Sequence, residues 1–214
     1  MKTKFADDFN SKDPWHRYQN LPGRIFLDSN VLQYLQDFSE YVFDNYREDK
    51  DYFISPKRKI IKKGTRLYEQ IIALHDIFIN IERANFEFVV SNAVYDEVIK
   101  KKINGHHDEN FIKWFYDVWD HWQAVRISYK NSISKEAFIR YEKAKKDKSL
   151  LGSLSRRDRN IILDAIERDC DAVLTVDKFA DTNKQYFVYK KYKLMILKPT
   201  DFLIILKPFQ SLYM

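Results

Sequence analysis

Four glycines and five prolines in 214 residues leave little material for tight turns. That scarcity argues against a loop-rich all-β fold and for long helices. The single cysteine, Cys170, has no partner for an internal disulfide, which fits a reducing compartment. It lies just before an apolar run, Ala172-Val173-Leu174, and reads as a buried, inert thiol. No apolar run approaches the ~18 residues that a membrane-spanning helix needs. The longest is Phe202-Leu203-Ile204-Ile205-Leu206, a core segment. Met1 to Asp8 has no apolar h-region and so does not resemble a secretory signal. The expectation is a soluble, cytoplasmic protein with no membrane partner. Glycine-rich phosphate loops and the Gly-x-Ser-x-Gly elbow are missing. The five histidines, His16, His75, His106, His107 and His121, form no zinc spacing. His106-His107, in a glycine turn, suits surface decoration.

What is present is a 45% hydrophobic chain with a formal net charge of +6. This is enough apolar material for one substantial core. The basic balance favours polyanionic partners, nucleic acid above all. Residues 1–23 read as a polar N-terminal arm, and 24–214 as one domain with insertions at about 46–66 and 104–154.

Within that domain, Arg24 to Asp28 is a compact β run, followed by a helical pattern from Val31 to about Asn45. Residues 47–66 are a basic connection. Thr65 to Ala84 is an amphipathic helix, Phe86 to Val90 a strand, and Ser91 the N-cap of a helix to about Lys102. Helices at 108–127 and 134–147 precede a loop at 148–154. The next helix starts at Ser155 or a neighbour and runs to about Asp169. Strands are expected at Ala172–Val176, Gln185–Tyr189 and Leu194–Leu197, and Pro199 opens a last short helix. Short apolar strands separated by helices imply an α/β fold, with a parallel sheet covered on both faces.

Ligands of such sheets bind at the carboxyl ends of the strands. Asp28 and Asp177 each end a strand. Glu97 lies in the second turn of the helix that leaves the Phe86–Val90 strand, and Asp158 in the first turn of the helix that leads to the Asp177 strand. Parallel strands would bring all four to one edge. Their mutual repulsion then calls for a cation or for protonation. Hard oxygen donors suit Mg²⁺ or Mn²⁺, ions able to assist phosphodiester hydrolysis. At about 100° per residue, Asp158 sits on the stripe of Ile161, Ile162, Ala165 and Ile166, while Asp164 lies about 120° away and should face solvent. The same arithmetic does not separate Glu97 from Asp96. Each acid also has an ordinary role open to it: Asp28 and Asp177 as helix caps, Asp158 in a capping box after Ser155, Glu97 as a surface acid.

Five segments together resemble a PIN domain. They are Ile25-Phe26-Leu27-Asp28-Ser29-Asn30, Val90-Ser91-Asn92-Ala93-Val94-Tyr95-Asp96-Glu97, Arg157-Asp158-Arg159-Asn160-Ile161-Ile162, Ala172-Val173-Leu174-Thr175-Val176-Asp177 and Met195-Ile196-Leu197-Lys198-Pro199-Thr200-Asp201. The resemblance implies a PIN-like parallel sheet with helical insertions, and a metal-dependent endoribonuclease of the kind found among toxin–antitoxin toxins and RNA-processing factors. It assigns Asp28, Glu97, Asp158 and Asp177 as catalytic metal ligands, with Asp181 competing with Asp177. Asn30 would hydrogen-bond near Asp28, and Thr175 would take the hydroxyl position before the last acid. The expected partners are RNA, an antitoxin-like inhibitor protein and a second copy of the chain. The alternative is a catalytically silent PIN-like module that binds RNA or protein.

Arg156, Arg157 and Arg159 flank Asp158, where cations would neutralise substrate phosphate. Other basic clusters, Lys57–Lys63 among them, could line an RNA path or simply be solvated. Trp114, Phe115, Trp119 and Trp122 could stack bases, but their helical spacing suits core packing better.

Overall fold

The computed structural model describes residues 21–43, 50–79, 86–101, 107–129, 134–181, 183–207 and 209. Most of the N-terminal arm and the expected turn at 104–106 lie outside them.

Four short strands form one parallel sheet: β1 (Arg24–Leu27), β4 (Glu87–Val89), β5 (Ala172–Leu174) and β6 (Met195–Leu197). Their order is β4-β1-β5-β6, and every pairing is parallel. In β5 and β6 every residue is buried, as expected for a sheet with helices on both faces. The order places β4 on one side of β1 and β5 on the other. The topological switch point therefore falls between β1 and β5, the place where ligands of such sheets bind outside the strand ends.

Helices α1 (Ser29–Asp37) and α2 (Ser39–Val42) follow β1, with a break at Phe38, whose φ of −128° is not helical. Then come α3 (Arg66–Ile79), α4 (Asn92–Lys100), α5 (Glu109–Tyr129), α6 (Lys135–Lys145) and α7 (Arg156–Glu167). Ser91, Ser134 and Ser155 cap α4, α6 and α7, each side chain accepting an N–H from three residues on. The chain closes with α8 (Lys184–Tyr192) and α9 (Pro199–Leu206).

Three expectations need correction. Gln185–Tyr189 is not a strand but part of α8. Its aromatics suggested β structure, yet Gln185, Val188 and Tyr192 fall on one helical face and are buried there. The basic connection at 47–66 contains an antiparallel hairpin, β2 (Tyr52–Ile54) and β3 (Ile60–Lys62), in which Phe53 and Ile61 turn inward. Charge obscured a period-2 pattern only three residues long. His107 is not surface decoration: its ring bonds Gln36 Oε1 at 2.6 Å and the Ile99 carbonyl at 3.2 Å.

The core runs through both faces of the sheet, from Phe26, Leu32 and Val173 to Ile162, Ile196 and Phe202. Cys170 is fully buried within it, and burial pushes its thiol pKa far up, so it is unreactive. Phe115 is fully buried, and Trp119 stacks on Tyr95 at 4.2 Å, so these aromatics pack rather than wait for bases. Among the described residues, no helix is long and apolar enough to cross a membrane.

Candidate functional site

Asp28 is the residue immediately after β1, at the switch point. Its N–H donates to the Leu174 carbonyl at 3.1 Å, extending the ladder one residue beyond β1. The residue is 1% exposed. It stands at the N-cap position of α1, yet its side chain makes no capping hydrogen bond. Instead the Thr175 hydroxyl, fully buried at the end of β5, donates to Asp28 Oδ2 at 2.7 Å. That hydroxyl also accepts the Asp177 N–H at 3.1 Å, so one side chain ties the ends of β1 and β5 together. Burial raises the Asp28 pKa above the ordinary carboxylate value, and the nearby Asp177 charge adds to the rise. The Thr175 bond and the Arg157 guanidinium oppose it.

A cleft of about 400 Å³ opens beside Asp28. Ser29, Ser91, Val94 and Glu97 line one side, and Arg156, Arg157, Asn160, Ile161 and Asp164 of α7 line the other. Of the two acids that spacing could not separate, Glu97 reaches the cleft and Asp96 is exposed. Burial works to raise the Glu97 pKa, but hydrogen bonds from Lys101 and Ser29 and the charges of Lys101 and Arg157 bring it below its usual value. Lys101 Nζ is 2.5 Å from Glu97 Oε1.

Arg157 bridges the two carboxylates. Its Nη2 lies 3.9 Å from Asp28 Oδ1 and 4.0 Å from Glu97 Oε1. The same nitrogen donates to Ser29 Oγ at 2.8 Å and to Asn30 Oδ1 at 3.2 Å. A half-exposed cation thus stands between two acids whose charges would otherwise repel. Asn30 sits beside Asp28 as expected, but it accepts from Arg157. Arg156 lines the cleft, and Arg159 is exposed and does not.

Asp158 is half-buried, and its N–H is capped by Ser155 Oγ at 3.1 Å. It is not among the residues lining the cleft, whereas Asp164, expected to face solvent, is. The cleft wall of α7 is centred near Arg157 and Asp164, an arc about 120° round the helix from Asp158. The apolar stripe meets the sheet and the adjoining arc meets the cleft, so an acid at the stripe's centre is not thereby turned toward Asp28. Asp164 also pairs with Arg168 at 3.8 Å.

Asp177 follows β5 by three residues and is close enough to Asp28 and Tyr34 to raise the pKa of both. For Tyr34, burial is the larger cause. Asp181 ends the 3₁₀ turn Lys178–Asp181, and its side chain lies outside the described residues. Among the described residues no three acidic, histidine or cysteine side chains converge as a ready-made metal cage.

Ser29, Asn160 and Asp164 were not anticipated as site residues. Ser29 was legible only as a neighbour of Asp28, and Asn160 and Asp164 from the helix arc next to the apolar stripe. Arg66, whose Nη2 donates to the Val176 carbonyl at 3.2 Å, carried no signal in the sequence.

Comparison with protein-family models, characterised proteins and solved structures gives no match.

Proposed function

We propose that this chain is a PIN-like, divalent-metal-dependent nuclease acting on RNA. The observation that carries the proposal is Asp28: a buried carboxyl at the switch point of a parallel sheet, tied by Thr175 to the strand that delivers Asp177, with Glu97 across the cleft. Burying a carboxylate is costly without a compensating charge. A cation bound at this edge would relieve both the burial and the repulsion by Asp177.

The donors fit Mg²⁺ or Mn²⁺. They are hard oxygens, and Mg²⁺ characteristically binds one or two carboxylates and keeps several waters, so a cage of three is not required. Asp28 and Asp177 would hold the ion, with Glu97 reaching it once Arg157 moves. Such an ion supplies water activation and charge stabilisation for phosphodiester hydrolysis. Arg157, half exposed and already at the cleft, would then be free to meet a substrate phosphate. Asp158, which does not line the cleft, enters this proposal as an outer contributor only.

The test is cleavage of mixed RNAs with Mn²⁺, with EDTA and with Asp28→Asn. We expect cleavage that both EDTA and the substitution abolish. Cleavage of equal rate in Asp28→Asn would overturn the mechanism.

One observation favours a second reading, the silent binding module: Arg157 already supplies a cation between Asp28 and Glu97. Calorimetry separates the two. Failure to bind Mn²⁺ at millimolar concentration favours the module.

A further inference from the structure

We infer that the β2–β3 hairpin is a docking arm for single-stranded RNA, leading the strand toward the Asp28–Asp177 edge. The inference rests on the nucleic-acid part of the proposed function.

The hairpin has two unlike faces. Phe53 and Ile61 point inward, and the Phe53 ring packs on Tyr41 at 4.7 Å, Tyr68 at 5.1 Å and Phe38 at 5.9 Å. This mounts the hairpin firmly on the core. The outer face carries Tyr52, Ile54 and Ile60, exposed by 52%, 58% and 58%. Ile54 pairs directly with Ile60, and Tyr52 with Lys62, so these side chains form one continuous strip. The turn between the strands presents Lys57, Arg58 and Lys59, all exposed, with Arg58 in the left-handed region at φ 57°.

Charge selects the occupant. Residues 50–66 hold seven basic residues, Lys50, Lys57, Arg58, Lys59, Lys62, Lys63 and Arg66, against one acid, Asp51. A second copy of this basic chain would meet repulsion on that surface. A polyanion would meet complementarity, and an exposed tyrosine beside two isoleucines offers unpaired bases an apolar platform. A duplex hides its base faces and gains nothing from that strip, which selects single strands.

The position links the arm to the site. The chain leaving β3 passes through Gly64 and Thr65 to Arg66, whose guanidinium bonds the Val176 carbonyl one residue before Asp177. A strand held by its phosphates along the hairpin is thus delivered at the switch point. A solvated basic loop explains the charge but not the exposed apolar strip.

The test is fluorescence anisotropy of a labelled 12-mer oligouridylate in EDTA, with Asp28→Asn as the parent so that binding is read without cleavage. We expect Lys57→Glu/Arg58→Glu/Lys59→Glu to weaken binding at least tenfold. It should also flatten the slope of log K against log salt by about 2, at ~0.7 for each of three lost phosphate contacts on a single strand. Tyr52→Ala should weaken binding severalfold and leave the salt slope unchanged. Unchanged affinity and slope in the triple variant would overturn the inference. So would an Ile54→Ser/Ile60→Ser variant that dissociates a dimer in sedimentation without altering RNA affinity, since the strip would then be a protein interface. So would a fall in affinity for a vesicle of anionic lipid with none for the oligonucleotide. The nuclease proposal fails separately: hairpin-dependent binding with no Mn²⁺-dependent cleavage by the wild type leaves the docking arm standing.

Discussion

Replacing Thr175 by valine tests the architecture of the site without touching an acid. The two side chains have nearly the same shape, and Thr175 is fully buried, so no cavity opens. What is lost is one hydroxyl with two bonds: the donation to Asp28 Oδ2 at 2.7 Å and the acceptance of the Asp177 N–H at 3.1 Å. A hydrogen bond to a charged group contributes about 1.5–3 kcal/mol, and one between neutral groups about 1 kcal/mol. The expected destabilisation at pH 7 is therefore about 2.5–4 kcal/mol. Acid should shrink it. The Asp28 pKa is raised in the folded protein, and the Thr175 bond opposes that rise, so its loss raises the pKa further. A raised carboxyl pKa costs stability in full above the folded value. That cost disappears below the unfolded value near 3.8, where the group is neutral in both states. Urea unfolding of wild type, Thr175→Val and Thr175→Ser at pH 7 and pH 3.5 reads this out. Thr175→Ser keeps the hydroxyl and should recover most of the loss. A loss below about 0.5 kcal/mol at pH 7, or one independent of pH, would refute the role given to the hydroxyl.

The same linkage predicts that Asp28→Asn raises the unfolding midpoint at pH 7, because a buried charge is removed, and that the advantage fades toward pH 4; a variant less stable than wild type at pH 7 would contradict it. Saturating Mn²⁺ should reverse the ranking, stabilising wild type by about 2.7 kcal/mol at a hundredfold excess over Kd and leaving Asp28→Asn unmoved in a thermal melt. Arg157→Gln should tighten Mn²⁺ binding two- to fivefold by calorimetry, since an exposed ion pair contributes only about 0.5–1 kcal/mol to be displaced; weaker Mn²⁺ binding would show that Arg157 does not compete with the ion. Glu97→Gln should lower the initial rate of Mn²⁺-dependent cleavage at least tenfold and Asp96→Asn less than twofold; equal losses would mean the cleft does not distinguish them.

The sequence by itself determined the sheet and its sense. Runs such as Ile25-Phe26-Leu27 and Ala172-Val173-Leu174 are apolar on both sides, so they belong in a parallel sheet covered twice, and the acid that follows each run, Asp28 directly and Asp177 three residues on, falls beyond its carboxyl end. Asp28 and Asp177 were legible for that reason. Ser91 and Ser155 likewise marked where α4 and α7 begin. Tertiary structure decided what depends on rotation and long-range approach. Periodicity reports which arc of a helix is apolar, but not which neighbouring arc faces a cleft. Hence Asp164, rather than Asp158, lines the wall, and Glu97 separates from Asp96 only when α4 is docked. Arg157 reaches Ser29 and Asn30 from more than a hundred positions away, and no local pattern encodes such a contact. The hairpin was hidden because three-residue strands carry too short an alternation to outweigh their charges; packing of Phe53 and Ile61 on the core fixed them.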